Sequence, residues 1–278
     1  MLFRKKSKNL KNRLNSSKSA KCFAFVGAIA LCLLVACDDD NVTGAESGRP
    51  VVGTMTDSRD GQTYKTVTIG TQTWMAENLN YAYTGIPLNY IDTTSDCLFY
   101  FEECIYEKFT SDSTSWCYYN DPDNCTKYGR LYSWAAAMDS VGTWSTNGRG
   151  CGYGKTCSPT YPVRGVCPEG WHLPDSTEWQ TLFAAVGGYS TAGRMLQSTS
   201  GWAKDENGLD AYSFSVLPAG GYHKGNYSGE GINASFWSST EIDSVNVYLM
   251  GLTNTYVFAG LVNVSKLFLG RSVRCVKD

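Results

Sequence analysis

The stretch GVCPEGWHLPDSTEWQTLFAAVGG, residues Gly165–Gly188, contains the strongest structural signals in the chain. Pro174 cannot lie inside a helix, and Asp175 is followed three residues later by Glu178, which is the D-x-x-E pattern of a capping box. Gly187-Gly188 then supplies a helix stop. Between these signals, four apolar residues recur at helical spacing: Trp179, Leu182, Phe183 and Val186. The stretch therefore predicts a capped helix with one buried face.

His172 is one of two histidines in the chain and lies between Trp171 and Leu173. Because both neighbours are candidate core residues, we predict a structural histidine with local hydrogen bonds; a ligand or a general base is the alternative. Neither His172 nor His223 has an evident acid–base partner, and no G-x-S-x-G or H-E-x-x-H motif occurs. These observations predict that the protein is not an enzyme, although two carboxylates that meet only in the folded chain stay an open alternative.

A β-hairpin and a second helix are predicted upstream of this stretch. Tyr64–Ile69 and Thr73–Ala76 are rich in β-branched and aromatic residues, and Gly70-Thr71-Gln72 separates them as a turn. The segment GRLYSWAAAMDS has strong helix formers and an apolar face: Leu131, Trp134, Ala135 and Met138. After Gly188, short extended runs separated by Gly, Asn and Ser predict a loop-rich, irregular antiparallel sheet. We therefore predict a single α+β domain over residues 54–278.

The first 36 residues have the composition of an export signal. Residues 1–21 contain eight Lys or Arg and no acid, and the next fifteen, CFAFVGAIALCLLVA, are apolar or small. This apolar run is shorter than the ~20 residues that span a bilayer as a helix. The sequence Leu34-Val35-Ala36-Cys37 resembles a bacterial lipobox, which implies cleavage and lipidation at Cys37. A plain signal peptide with an incidental cysteine is the alternative.

Residues 37–53 are small and polar, and they predict a flexible tether. The run Asp38-Asp39-Asp40 resembles a surface-export signal of some Gram-negative lineages and an inner-membrane retention signal of others. We predict a cell-envelope protein held to the membrane by its N-terminal lipid, at the outer membrane or cell surface. Eight of the 24 basic residues and none of the 26 acidic ones lie in the first 36 positions, so the remainder has a formal net charge of −10. Such a chain lacks the basic surface that nucleic-acid binding requires.

Eight cysteines follow Cys37, and an even number in an exported protein predicts disulfides. Sequence alone does not select one connectivity, but spacing favours Cys97–Cys104, Cys117–Cys125, Cys151–Cys157 and Cys167–Cys275. Zinc is the alternative, and it is disfavoured because there is no C-x-x-C pair and the histidines are isolated. The acidic segment Asp121-Pro122-Asp123-Asn124 has the chemistry to hold a hard cation, but we predict a turn there. We expect no metal and no cofactor.

Six blocks in order make the chain similar to the Fibrobacter succinogenes major paralogous domain family, from about Asp57 to Asp278: DGQTYKTVTIGTQTWMAENLNY, YGRLYSWAAAM, GVCPEGWHLPDSTEW, LPAGG, FWSSTE and SVRCVKD. This resemblance implies no general biochemical activity. More distantly, WHLPDSTEW resembles the W-R-L-P-T-x-x-E-W block of formylglycine-generating-enzyme-like and related lectin-like domains. That likeness implies a variant of the C-type lectin-like fold, with an N-terminal hairpin, two helices and an irregular sheet. The E-P-N and W-N-D motifs of calcium lectins are absent.

The chain has eight Trp, 18 Tyr and 11 Phe, which is a large supply of rings for stacking on sugars. Tyr222, Tyr227 and Trp237 lie in or beside glycine-rich loops, and they are our candidate ligand-binding residues; burial in the core is the alternative for each. We therefore predict a binding or adhesion module for polysaccharide or a protein partner. A structural envelope component without a ligand is the first alternative, and a cryptic enzyme is the second.

Overall fold

The computed structural model describes residues 50–84, 88–92, 107–111, 114–267 and 269–278. In chain order its strands are β1 (Val51–Thr56), β2 (Thr63–Ile69), β3 (Gln72–Met75), β4 (Leu88–Asp92), β5 (Glu107–Ser111), β6 (Ser115–Trp116), β7 (Leu131–Tyr132), β8 (Trp171–His172), β9 (Ala219–His223), β10 (Asn226–Glu230), β11 (Asn233–Glu241), β12 (Asn246–Thr253), β13 (Gly260–Ser265), β14 (Leu269–Ser272) and β15 (Val276–Lys277). Its helices are α1 (Pro122–Tyr128), α2 (Trp134–Ala137), α3 (Ser176–Ala185) and α4 (Tyr189–Leu196), with single 3₁₀ turns at Tyr118–Asn120 and Ala203–Asp205.

The first sheet has the strand order β1-β2-β3-β15-β8, and all of its pairs are antiparallel. β2 and β3 form the hairpin predicted from the sequence, with a two-residue turn at Gly70-Thr71. Val276 in β15 pairs with Trp74 on one side and with His172 on the other. The last strand of the chain therefore lies between the first hairpin and the strand that leads to α3.

The beginning of the domain differs from the sequence prediction. Residues 51–53 are assigned to the tether by their small and polar surroundings, but they belong to β1. Val51 and Val52 pair with Thr68 and Val67 of β2, and β-branched residues favour such extended pairing. The sheet thus includes a strand that begins three residues before the predicted boundary at residue 54.

The second sheet has the strand order β10-β9-β14-β11-β12-β13, and β7 and β6 extend it beside β14. β11 and β14 are parallel to each other, whereas the other described pairs of this sheet are antiparallel. β4 and β5 form a separate antiparallel pair. The prediction of an irregular antiparallel sheet therefore holds for all described strand pairs except one.

α3 is the helix predicted from the capping box. The Asp175 carboxylate accepts a hydrogen bond from the Glu178 amide at 2.8 Å, and the Glu178 carboxylate accepts one from the Asp175 amide at 2.9 Å. Both halves of the capping box are therefore present, and two orphan amides at the helix N-terminus are satisfied. The predicted start, cap and apolar face of α3 are confirmed.

The number of helices is a correction, because two were predicted and the described residues contain four. The predicted second helix is shorter than expected: Leu131 lies in β7, and α2 begins only after the cap at Ser133, whose hydroxyl accepts from the Ala136 amide. α1 begins in the acidic segment, where Asp121 is the N-cap and Pro122 the first helical residue. α4 begins at Tyr189, one residue after the glycine pair that ends α3.

The core has two large apolar clusters, and α3 contributes to one of them. In that cluster Trp179, Leu182 and Phe183 of α3 pack with residues of the first sheet such as Trp74, and with residues of the second sheet such as Phe236. Trp74 and Trp179 have ring centroids 4.7 Å apart. Burial of each such side chain contributes about 2–3 kcal/mol, so α3 fixes both sheets around one apolar centre.

The described residues form a sheet-rich α+β fold and belong to one compact unit. Three disulfides link Cys117 to Cys125, Cys151 to Cys157 and Cys167 to Cys275, which are three of the pairings that the spacing favours. The predicted Cys97–Cys104 pair and the predicted lipidation site Cys37 lie outside the described residues. No helix in the described part of the chain combines the length and apolar character needed to cross a bilayer.

Candidate functional site

Three tyrosines, which we call the tyrosine patch, meet at the surface: Tyr119, Tyr222 and Tyr227. The ring of Tyr227 lies 5.1 Å from that of Tyr222 and 5.5 Å from that of Tyr119, measured between centroids. Tyr119 is the most open of the three, with 64% of its surface exposed, and the other two are half-buried. The patch therefore offers aromatic rings held close together at the protein surface.

Two buried rings support the patch from below. Trp116 stacks on Tyr222 with centroids 4.6 Å apart and planes 18° apart, and Tyr118 lies 5.3 Å from Tyr227. Gly270 makes the first contact feasible, since an added Cβ there would lie 3.1 Å from the Trp116 ring and 3.0 Å from the Tyr222 Cβ. The surface rings are thus fixed by packing rather than free to rotate into solvent.

The loop that carries Tyr119 is held by a disulfide and a hydrogen bond. Cys117, which is bonded to Cys125, precedes the 3₁₀ turn, and the Asn120 side chain accepts a hydrogen bond from the Tyr227 hydroxyl at 2.8 Å. Tyr119 and Asn120 have φ values of 55° and 56°, in the left-handed region that costs non-glycine residues about 1 kcal/mol or more. The surrounding contacts therefore hold Tyr119 outward in a strained conformation.

The other two tyrosines are positioned by the β9–β10 hairpin. Tyr222 and Tyr227 are directly opposite each other, and the strands are joined by a tight turn at Lys224-Gly225, where both φ values are positive. Cross-strand partners point to the same face of a sheet, which explains why these two rings meet. Arg271 of β14 donates a hydrogen bond to the Tyr222 carbonyl at 3.1 Å and holds the hairpin against its neighbour.

Burial affects the hydroxyl of Tyr227 in the tyrosine patch and that of Tyr118 beneath it. Burial raises the pKa of Tyr227 to about 12, and the nearby Tyr222 acts in the same direction. Burial also raises the pKa of Tyr118 beneath it. These hydroxyls are therefore protonated at pH 7 and can donate as well as accept hydrogen bonds. Neutral rings with polar edges suit a ligand that has both apolar faces and hydroxyl groups.

The structure brings together two of the three predicted ligand-binding residues, Tyr222 and Tyr227. The prediction for Trp237 is wrong, because its side chain is fully buried in the core and its indole donates to the Tyr132 carbonyl at 2.7 Å. Sequence reasoning missed Tyr119 and the two supporting rings. A signal for them exists in the segment SWCYYNDPDNC, where consecutive aromatic residues flank a cysteine.

His172 is a buried residue with two acidic partners. Its Nε2 lies 2.7 Å from a Glu178 carboxylate oxygen, and its Nδ1 lies 2.6 Å from one of Asp278. The expected local hydrogen bond is confirmed, but Asp278 is a partner that only the folded chain supplies. The imidazole therefore links Asp278, after β15, to Glu178 in the first turn of α3. Its side chain is buried and does not present an exposed base.

The acidic segment at Asp121 is a helix start rather than the predicted turn. The Asp121 side chain accepts from the Asp123 amide at 3.0 Å, which is how an N-cap uses its carboxylate. Within the residues that the structure describes, no group of three or more His, Cys, Asp or Glu side chains has the arrangement of a metal site. The structure therefore explains Asp121 by helix capping.

These features define a disulfide-bonded, sheet-rich domain whose surface carries a fixed group of aromatic rings. The chain belongs to the Fibrobacter succinogenes major domain family, whose model matches residues 67–277. No curated protein and no solved structure matches the chain. The family membership agrees with the six sequence blocks, which cover the capped helix, the first hairpin and the terminal strand.

Proposed function

We propose that this protein is a polysaccharide-binding module of the cell envelope and that the tyrosine patch is its contact surface. The observation that carries the proposal is the fixed position of Tyr119, Tyr222 and Tyr227, which are held by a disulfide-bonded loop, a tight hairpin and two buried rings. A binding surface that is already ordered loses little conformational entropy when its ligand binds. Sugar rings have apolar faces that stack on aromatic side chains, and hydroxyls that pair with tyrosine hydroxyls.

The attachment and the detailed fold belong to the same proposal. We infer that a lipid on Cys37 holds the domain at the outer membrane or cell surface, as the lipobox-like sequence implies. We also propose a C-type lectin-like variant, which is supported by the early hairpin and by the terminal strand beside it. The binding mode proposed here is stacking on aromatic rings and requires neither a metal nor catalysis.

A protein partner is the second candidate ligand, and a separate surface favours it. Tyr189, Tyr256 and Phe258 are exposed, and the centroid of the Phe258 ring lies 5.4 Å from that of Tyr189 and 5.0 Å from that of Tyr256. Tyr189 also lines an apolar groove that includes Phe183 and Leu261. Large apolar surfaces of this kind commonly mark interaction sites.

Retention of the full-length protein on insoluble cellulose and xylan, together with a glycan array, tests the proposal. We expect Tyr119→Ala and Tyr222→Ala each to weaken binding about two- to tenfold, because each removes one stacking contact of ~0.5–1.5 kcal/mol. Tyr256→Ala is the matched control, since it removes an exposed tyrosine outside the patch. The proposal is wrong if the unmodified protein ignores every polysaccharide, or if Tyr256→Ala weakens binding as much as the patch variants do.

A further inference from the structure

A small pocket of about 230 Å³ lies between the first hairpin and α1. It is close to the tyrosine patch, since α1 contributes Cys125 and Tyr128 to its wall while Cys125 is bonded to Cys117 of the patch loop. Glu230 links the two regions: its carboxylate accepts from the Tyr128 hydroxyl at 2.9 Å, and its amide donates to the Tyr118 hydroxyl at 3.4 Å. A ligand of drug size needs about 300–1,000 Å³, so this pocket suits something smaller.

The wall of the pocket is rich in groups that recognise hydroxyls. It contains carboxamides from Gln62 and Asn80 and hydroxyls from Thr63, Thr126 and Ser215. Carboxamides and hydroxyls both donate and accept hydrogen bonds, as the hydroxyls of a sugar also do. The size and the lining therefore fit one sugar ring.

The charges of the pocket are mainly positive. Lys65, Lys127 and Arg274 line it, whereas Glu77 is the one carboxylate in the described lining. Lys65 lies 3.9 Å from Glu77, and Lys127 lies 3.9 Å from Glu230, so both ammonium groups have only long, exposed ion pairs that are weak in water. This excess of positive charge contrasts with the acidic balance of the chain after residue 36.

Arg274 is part of the pocket wall but is almost fully buried, and its described hydrogen bonds are to neutral groups. Its guanidinium donates to the Asn78 side chain at 2.7 Å and to the Phe214 carbonyl, and it lies over the Phe214 ring. No ion pair to Arg274 exists among the described residues. Burial lowers its pKa to about 9, whereas the nearby charges of Asp210 and Glu77 act in the opposite direction, so Arg274 remains charged at pH 7.

We infer that this pocket binds one uronate residue, with its hydroxyls on the carboxamides and its carboxylate attracted by Lys65 of the hairpin and Lys127 of α1. The inference rests on the proposed function and names the class of sugar that the site selects. Because the pocket adjoins the tyrosine patch, an acidic polysaccharide stacked on the patch can place a terminal or branching residue in it.

Calorimetric titration of the full-length protein with glucuronate, glucose and acetate tests the inference. We expect glucuronate to bind at least about tenfold more tightly than glucose, because only glucuronate meets both the hydroxyl and the charge requirement. Acetate supplies the charge alone and is expected to bind no more tightly than glucose. Raising the ionic strength from 0.05 M to 0.5 M should weaken glucuronate binding and leave glucose binding unchanged.

Two exposed substitutions test the charges without touching buried Arg274. The double variant Lys65→Gln/Lys127→Gln should lose about three- to tenfold in glucuronate affinity and keep its affinity for glucose. Lys277→Gln is the control, since it removes an exposed lysine that does not line the pocket. Circular dichroism spectra that match the unmodified protein show that each variant is folded.

These experiments test the uronate pocket separately from the tyrosine patch. Equal affinities for glucuronate and glucose, or equal affinities for glucuronate and acetate, overturn the uronate site. An unchanged glucuronate affinity in the double variant overturns it as well. Tyr222→Ala should leave the binding of free glucuronate unchanged, so failure of polysaccharide retention at the patch contradicts the proposed function separately.

Discussion

His172 shows at the scale of one residue how the fold uses charge. Burial alone lowers the pKa of a histidine, but the hydrogen bonds to Glu178 and Asp278 outweigh it and raise the pKa of His172 above its usual value of about 6.5. The protonated ring donates from both nitrogens, so it satisfies both carboxylates at once. The folded state is therefore stabilised when His172 is charged.

The pH dependence of stability tests this arrangement. Because the pKa of His172 is raised on folding, its contribution is fully present below about pH 6.5 and is lost as the pH rises through the folded-state value. We expect His172→Gln to remove this part of the decrease in unfolding free energy above pH 6.5. Urea unfolding at intervals between pH 5.5 and 8.5 measures the effect, and an unchanged pH profile would contradict the prediction.

His223 is the internal control, because its pKa shifts in the opposite direction. Burial lowers the pKa of His223, and the nearby charges of Lys224 and Arg271 add to the effect. A lowered pKa stabilises the fold above about pH 6.5, and that contribution is lost as the pH falls through the folded-state value. His223→Gln should therefore alter the acidic side of the profile, and only weakly, since this side chain is exposed.

At the scale of single elements, α3 depends on a cap that the sequence already shows. Asp175 and Glu178 satisfy each other's amides, and Glu178 also holds His172. We expect Asp175→Ala to lower the unfolding free energy by about 1 kcal/mol, because the N-terminus of α3 loses its side-chain acceptor. Asp175→Ser retains an acceptor and is expected to lose less. Urea unfolding at pH 7 compares the two, and equal losses would show that the cap is not the cause.

The elements that could be predicted are those with strong local signals. The hairpin of β2 and β3 has β-branched residues around a glycine turn, and α3 has a cap, an apolar face and a glycine stop within one stretch. Leu131 has the spacing of a helix face, yet it pairs with Ser272 and Trp116 in the second sheet. There the neighbouring strands decide the conformation, and a local pattern cannot show which strands will be adjacent.

The candidate site also contains some residues whose position could be predicted from local signals and others whose position could not. Tyr222 and Tyr227 flank a glycine turn, so their place near the surface could be predicted. Trp237 also lies near glycines, but its face of β11 points into the core, which a loop-based argument does not detect. Trp116 lies in β6, and its stacking on Tyr222 depends on the small Gly270 in β14. These two strands are distant from each other in the sequence, so a local pattern does not predict the contact.

At the scale of the whole molecule, buried charges connect segments that no local pattern joins. Arg59 makes a largely buried ion pair with Asp57 at 2.7 Å, stacks on Tyr81 and donates to the Val166 carbonyl, 107 residues away. Lys266 is buried over the Trp134 ring and donates to the Asp243 carbonyl at 2.6 Å. The fold brings these partners together. Buried cations need such partners, because an unpaired charge in the core has a high cost in free energy.

The cysteine spacing, in contrast, predicts the three disulfides among the described residues, and it predicts their unequal effects on stability. Cys167 and Cys275 are 108 residues apart and close a loop through about half of the domain, whereas Cys151 and Cys157 are six residues apart. In the chain-entropy model, the long loop restricts the unfolded state by about 4–5 kcal/mol and the short one by about 2 kcal/mol. The long-range bridge also fixes β15 beside the first hairpin and near α3.

We therefore expect Cys167→Ala/Cys275→Ala to lower the unfolding free energy by about 2–3 kcal/mol more than Cys151→Ala/Cys157→Ala does. Each double variant removes one bridge and leaves no free partner thiol, so the comparison isolates loop length. Guanidinium unfolding of both variants under oxidising conditions measures the difference. Equal losses, or a larger loss from the short loop, would show that local packing around the sulfur atoms rather than closure of the long loop determines what these bridges contribute.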